Sequence, residues 1–181
     1  MGRKKNDTIT SESRVPQNNH LNHQDALNIV LLNPRIPQNT GAIARLCAAT
    51  KSNLHLVAPL FKIDDKKLIR AGLDYWPLLN VKHYASEDDF IEEHKDKTHQ
   101  FWLAETKSEQ LYTEVSYKSS DFILFGDEQA GISDKIFNFY KKSQHISLPQ
   151  TGVRSLNLAM AVGIVCFEAY RQLNWKPFYL K

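Results

Sequence analysis

From residue 26 onward, short aliphatic runs alternate with longer segments whose apolar positions recur every three or four residues. The runs ALNIVLL (26–32), LHLVA (54–58), LLNVKHY (78–84), QFWLAE (100–105), DFILFG (121–126) and HISL (145–148) predict strands. Between them the pattern predicts helices over 39–50, around 64–72, over 87–95 and over about 133–141, with a final helix from Ser155. The segment over 87–95 is acidic and amphipathic, and Ser133 is placed to cap the helix that follows it. Strand and helix alternating this regularly predict an α/β domain with a mainly parallel sheet and helices on both faces. The last segment, LPQTGVRSLNLAMAVGIVCFEAYRQL (148–173), is apolar at almost every position from Leu156 to Phe167 and predicts a helix buried on all sides. Its entrance is polar. Capping accounts for one of Arg154, Ser155 and Asn157, but not easily for all three together.

The chain has 181 residues, 42% of them hydrophobic and 24% charged, which suits one globular domain with a substantial core. The longest apolar stretch, about 15 residues broken by Asn157, falls short of the roughly 20 a membrane span needs. Residues 1–25 contain almost no large apolar side chains and read as a disordered tail without a secretory signal. The folded body is expected over 26–175, with a short tail at 176–181. Cys47 and Cys166 lie in apolar, helix-like patterns without C-x-x-C spacing and read as buried thiols of a cytoplasmic protein. The seven histidines show no ligand spacing, so no metal is expected. A net charge of +3 permits nucleic-acid binding without demanding it. Arg3, Lys4 and Lys5 read either as a weak basic arm or as a solvated tail.

In a parallel sheet the working groups gather beyond the carboxyl ends of the strands, which directs attention to three loops. The first, NPRIPQNTGAIARLCAAT (33–50), has prolines that fix an extended entry, Asn39 as the expected N-cap, and Arg45 one turn into the helix. The second, FGDEQAGIS (125–133), is glycine-containing but lacks both nucleotide-binding fingerprints. Asp127 and Glu128 would repel a phosphate there, so a cationic or phosphate-free cofactor is better tolerated. The third is LPQTGVRSLNL (148–158), shaped by Pro149 and Gly152. No nucleophile elbow is present and no histidine is placed beside Ser155, which argues against a hydrolytic triad.

Taken together, IPQNTGAIARLCAAT (36–50), FGDEQAGI (125–132) and the segment 148–173 resemble the three motifs of the SPOUT superfamily of RNA methyltransferases. The closest likeness is to its small single-domain tRNA 2′-O-methyltransferases of the wobble nucleotide, the TrmL type. AGLDYW (71–76) and WLAETK (102–107) also look like this group, and the likeness covers about residues 27–173. It implies an α/β fold with a C-terminal deep trefoil knot, S-adenosylmethionine as cofactor, a homodimer with its active site at the interface, and tRNA, through its anticodon stem-loop, as partner. The target is then the 2′-oxygen of cytidine or uridine at position 34. Another tRNA or ribosomal RNA position, or a non-catalytic RNA-binding relative, is the alternative.

By that resemblance, Ala104, Gly126, Ile146, Leu148 and Ser155 hold the cofactor, while Arg45, Glu128 and Asn157 form the catalytic group. Asn39 and Arg154 are expected to contact the substrate, and Lys66, Lys67, Arg70, Lys141 and Lys142 are candidate phosphate contacts. Arg45 is expected to serve the partner's active site. Stripping a proton from an arginine near pH 7 costs roughly 7 to 8 kcal/mol, so the expected role of Arg45 is positioning and oxyanion stabilisation rather than base catalysis. The chain departs from the family pattern inside its motifs. Asp127 stands where proline is usual, Ala130 for arginine, Gln150 for methionine, Met160 for asparagine and Phe167 for tyrosine.

Overall fold

The computed structural model of the chain describes residues 25–62, 73–96, 101–141 and 144–175. The expected helix around 64–72, the expected tails at 1–25 (all but Asp25) and 176–181, and Lys66, Lys67, Arg70 and Lys142 lie outside the described residues. Six strands form one sheet: β1 (Asn28–Leu32), β2 (Asn53–Val57), β3 (Val81–Tyr84), β4 (Phe101–Ala104), β5 (Phe122–Phe125) and β6 (His145–Ile146). Their order across the sheet is β3-β2-β1-β5-β4-β6, and every pairing is parallel. The expected α/β architecture is therefore present, with β2 shifted one residue earlier than its run and the other five strands shorter than theirs.

The central strands β1 and β5 read as nearly unbroken apolar runs because both of their faces are covered. Along β1, Ile29 and Leu31 point to one face, where they pack with Ile43 and Cys47 of helix α1 (Pro37–Thr50) and with Val165 and Cys166 of helix α4 (Leu158–Gln172). Val30 and Leu32 point to the other face, towards Phe90 of helix α2 (Glu87–His94) and Ile136 of helix α3 (Asp134–Phe139). These side chains are fully buried, and each contributes about 1.5 to 3 kcal/mol of burial free energy. Cys47 and Cys166 are buried and unpaired, and burial first of all pushes both thiols up, Cys166 to about 11. Both therefore stay protonated and unreactive near neutral pH.

A chain of polar side chains, most of them buried, is bonded within this core. Near the amino ends of the strands, Asn80 donates to Asn53, Asn53 to Asn28, and Asn28 to the Ser120 carbonyl, each at 2.9 Å. His55 extends the ladder, its Nε2 donating to Asn28 Oδ1 at 3.1 Å and its Nδ1 facing the Tyr84 hydroxyl at 3.1 Å. Because Asn28 Oδ1 can only accept, the network assigns the proton to Nε2. Burial, with smaller contributions from His94 and Lys82, lowers the His55 pKa to about 3.

Two helix starts differ from expectation. α1 begins at Pro37, with Ile36 in the cap position and no side-chain cap, so Asn39 sits inside the helix. Proline supplies the helical φ of the first turn without needing a partner for an N–H, which displaces the start by two residues. α4 begins at Leu158 rather than Ser155, and Asn157 is its cap, accepting from the Ala159 and Met160 amides at 3.0 and 3.4 Å. Ser133 caps α3 as expected, accepting from Ile136. Nor is α4 buried on all sides within the chain. Met160, Ile164 and Phe167, spaced along one stripe, are 64%, 40% and 48% exposed.

Candidate active site

The loops after β1, β4, β5 and β6 converge at the carboxyl ends of the strands around a cavity of about 680 Å3. This is the size of a small-molecule pocket and the position that parallel sheets favour for one. Its walls are mixed. Phe125, Phe137, Leu148, Leu156, Leu158 and Ala161 supply apolar surface, while Glu105, Thr106, Lys107, Gln150 and Ser155 supply polar groups.

The second loop folds back on itself tightly. Asp127 and Gly131 exchange two backbone hydrogen bonds at 3.0 and 2.9 Å, closing the turn. Gly131 has φ +76°, the left-handed region open to glycine, and a Cβ on Gly126 would stand 2.2 Å from the Gly131 carbonyl carbon. One glycine is required for conformation and the other for space. The Asp127 carboxylate stays inside the turn, accepting from the Gln129 and Ala130 amides at 2.6 and 2.8 Å.

Both acidic side chains of this loop are already engaged. Arg35 reaches Asp127 Oδ2 through Nη2 at 2.9 Å and Nε at 3.1 Å. Burial works to raise the Asp127 pKa, but the Ala130 and Gln129 amides and the Arg35 guanidinium outweigh it, and the carboxyl sits below its usual range. Glu128 accepts from the Arg35 amide at 2.8 Å, the Ile36 amide at 3.2 Å and Asn39 Nδ2 at 3.1 Å. It thus holds the two backbone N–H groups just before α1 and the Asn39 side chain in the first turn. The repulsion of a phosphate expected from Asp127 and Glu128 is reduced accordingly, because the Arg35 guanidinium and the Arg35 and Ile36 amides already engage these carboxylates.

Asn39 joins the second loop to the third. Its Nδ2 donates to Glu128, so its Oδ1 is left to accept from Asn157 Nδ2, at 3.0 Å. Asn157 in turn keeps its Oδ1 for the cap of α4. Each amide orientation follows from the next, starting at a carboxylate that can only accept. Arg154 donates to the Gln129 carbonyl, a second tie between the same two loops.

Of the residues expected from sequence, Ala104, Gly126, Leu148 and Ser155 line the cavity, as do Glu128, Asn157, Asn39 and Arg154. Ile146 does not. It is fully buried in β6, paired with Ala104, and its carbonyl accepts from the Glu105 amide at 2.9 Å. Arg45 also stands apart from this cavity: it is exposed on α1, its Nη2 3.1 Å from the Tyr75 hydroxyl and its Cζ 5.0 Å from the Tyr75 ring centroid. Lys141 is exposed beyond α3.

Arg35 and Phe137 were not foreseen. Arg35 is adjacent in sequence to the first motif, but its partner lies 92 residues away and no local pattern announces it. Phe137 lines the cavity and meets the His145 ring edge-on, with centroids 4.4 Å apart. Glu105 lines the same wall with Oε1 3.6 Å from His145 Nδ1.

Residues 26–167 match the sequence profile of the SpoU rRNA Methylase family. A Yersinia pestis protein named tRNA (cytidine(34)-2'-O)-methyltransferase is 43% identical over 160 residues, covering 86% of this chain and 99% of that protein. A solved structure described as giving structural insights into the 2-OH methylation of C/U34 on tRNA has a TM-score of 0.75 at 37% identity, covering 83% of this chain and 98% of its own. An AdoMet-bound rRNA methyltransferase from Sinorhizobium meliloti has a TM-score of 0.74 at 25% identity, covering 83% of this chain and 57% of that one.

Proposed function

Because the chain belongs to the SpoU rRNA Methylase family, we propose that it is a tRNA methyltransferase that uses S-adenosylmethionine to methylate the 2′-oxygen of the wobble ribose, on cytidine or uridine 34. The observation that carries this reading is the convergence of the three sequence motifs on one cavity, in a chain 43% identical to a named enzyme of that activity.

The residues present fit this cofactor. Apolar walls at Phe137, Leu148 and Leu156 suit an adenine, and the Glu105 carboxylate suits a cationic group. Backbone groups around Ala104, Gly126 and Leu148, with the Ser155 hydroxyl, would hold it. When bound, it supplies a methyl group already activated by a sulfonium charge. What remains for the protein is to align the 2′-oxygen with that methyl, and a well-aligned pair gains more from orientation than from a strong base.

Asn39, Glu128 and Asn157 hold the three loops at fixed separation, which fixes the wall against which the ribose must lie. Arg45 clamps an RNA phosphate and stabilises the oxyanion that develops as the 2′-proton leaves. Since Arg45 does not line its own chain's cavity, we place it in the active site of a second protomer. The exposed Met160, Ile164 and Phe167 stripe supports a homodimer, because an apolar helix face of this kind calls for cover. We read the return of the chain through β6, beside β4, and then α4, against α1, as the closing part of a trefoil knot, and residues 26–175 as one methyltransferase unit. No helix among the described residues is long and apolar enough to cross a membrane, and tRNA as substrate favours the cytoplasm.

The test is incubation with labelled AdoMet and total tRNA, followed by mapping of 2′-O-methyl nucleotides by mass spectrometry. Label at position 34 supports the reading, and cofactor binding without transfer refutes it.

A further inference from the structure

The pairing of Arg35 with Asp127 does more than neutralise charge. Two stretches far apart in sequence, 35–39 and 127–128, are joined by the Arg35 guanidinium on Asp127 and by the Arg35 amide, the Ile36 amide and the Asn39 side chain on Glu128. The Asp127 side chain is 4% exposed whereas that of Arg35 is 42% exposed, so the carboxylate is fixed inside the turn and the guanidinium reaches in from the rim. Asp127 also sets the shape of its own loop, through the Gln129 and Ala130 amides and the bridge to Gly131. Displacing Asp127 would therefore move Glu128, Asn39 and the cavity wall together.

Resting on the methyltransferase reading above, we propose that Arg35 is a positioning residue for methyl transfer, holding the second loop against α1 through Asp127 so that Glu128 and Asn39 stay in register with the cofactor cavity. Arg35 itself does not line the cavity, so it acts through Asp127 and not on the ligand. A single ion pair at a rim contributes little to global stability, yet a displacement near 1 Å at reacting groups can cost up to about 100-fold in rate. The effect belongs in kcat and not in Tm or in cofactor affinity.

The experiment compares the full-length protein with Arg35→Met, Arg35→Lys, Asp127→Asn and the Arg35→Met/Asp127→Asn pair. It measures kcat at saturating tRNA and AdoMet, the AdoMet Kd by calorimetry, and the melting temperature. Asp127→Asn keeps an acceptor for the turn while removing the charge; Arg35→Lys keeps the charge. We expect Arg35→Met and Asp127→Asn each to lower kcat about tenfold, with AdoMet Kd within about threefold of wild type. The pair should fall no more than about twofold below either single variant, and Arg35→Lys should recover to within about threefold of wild type. Wild-type kcat in Arg35→Met, losses that multiply in the pair, or a kcat loss that merely tracks a fall in melting temperature would each overturn the proposal. If the wild-type protein binds AdoMet but transfers no methyl group, the enzyme reading fails first, and the failure is then distinct from that of the positioning role.

Discussion

Asn157 Nδ2 donates to Asn39 Oδ1 at 3.0 Å, joining the entrance of the last helix to the first turn of α1 across 118 residues. Replacing Asn157 by Ala removes the α4 cap, at about 1 kcal/mol, and leaves Asn39 Oδ1 without its donor, at about 1 to 3 kcal/mol more. Asn157→Asp keeps an acceptor for the cap but cannot donate to Asn39. Urea unfolding should rank wild type above Asn157→Asp and Asn157→Ala lowest; equal stability of wild type and Asn157→Asp would show that the amide link contributes nothing, and equal stability of the Asp and Ala variants that the cap does not.

Gly126→Ala tests the close approach inside the second loop. With the new Cβ 2.2 Å from a backbone carbonyl carbon, the turn must open. We expect a loss of roughly 1 to 3 kcal/mol and at least a tenfold weakening of AdoMet binding. Calorimetry on a folded variant that binds normally would contradict the geometry.

Tyr75 carries Arg45 through both its hydroxyl and its ring. Arg45→Ala should nearly abolish methyl transfer and leave AdoMet binding within a few-fold of wild type. Tyr75→Phe, which keeps the ring contact worth about 0.5 to 1 kcal/mol, should cost less activity than Tyr75→Ala. Single-turnover rates at saturating cofactor separate the three.

Phe167→Asp or Ile164→Asp places a charge on the exposed apolar stripe of α4. Sedimentation should then show a monomer, with transfer activity lost alongside the dimer. Mixing an Arg45→Ala protomer with one inactivated by Gly126→Ala should restore part of the activity if the arginine acts across the interface, and none if it acts within its own chain.

His55 predicts an acid-side dependence of stability. Its pKa in the folded chain, about 3, lies below the ordinary value of 6.5, so between these pH values the unfolded chain binds more protons. Stability is therefore complete above about pH 6.5 and declines as pH falls towards 3, by up to about 1.4 kcal/mol per pH unit from this one group. His55→Gln should flatten that slope in urea titrations repeated across pH 3 to 7.

Period and composition made the sheet legible, because strands covered on both faces leave unbroken apolar runs such as NIVLL and FILF. They could not distinguish Met160 or Phe167 from core, since an apolar face turned outward reads the same as one turned inward. Asn39 is not the cap because Pro37 starts the helix earlier, and its side chain instead links Glu128 to Asn157. Most of the expected cavity residues lie in loops with distinctive spacing. Arg35 lay hidden because its meaning depends on Asp127, and the unusual acid at 127 becomes intelligible only beside that arginine.

The sheet order also dictates a schedule of assembly. β1, β2 and β3 are neighbours in both sequence and space, so they can pair as the chain emerges. β1 must then keep its other edge open until β5 arrives, and β4, though made earlier, has no partner before that strand. Closure of such distant parallel pairings is slow, and the segment that completes the cavity, from β6 to Asn157, is synthesised after all of them. A ribosome would release most of this protein's core before it released the means to build its active site.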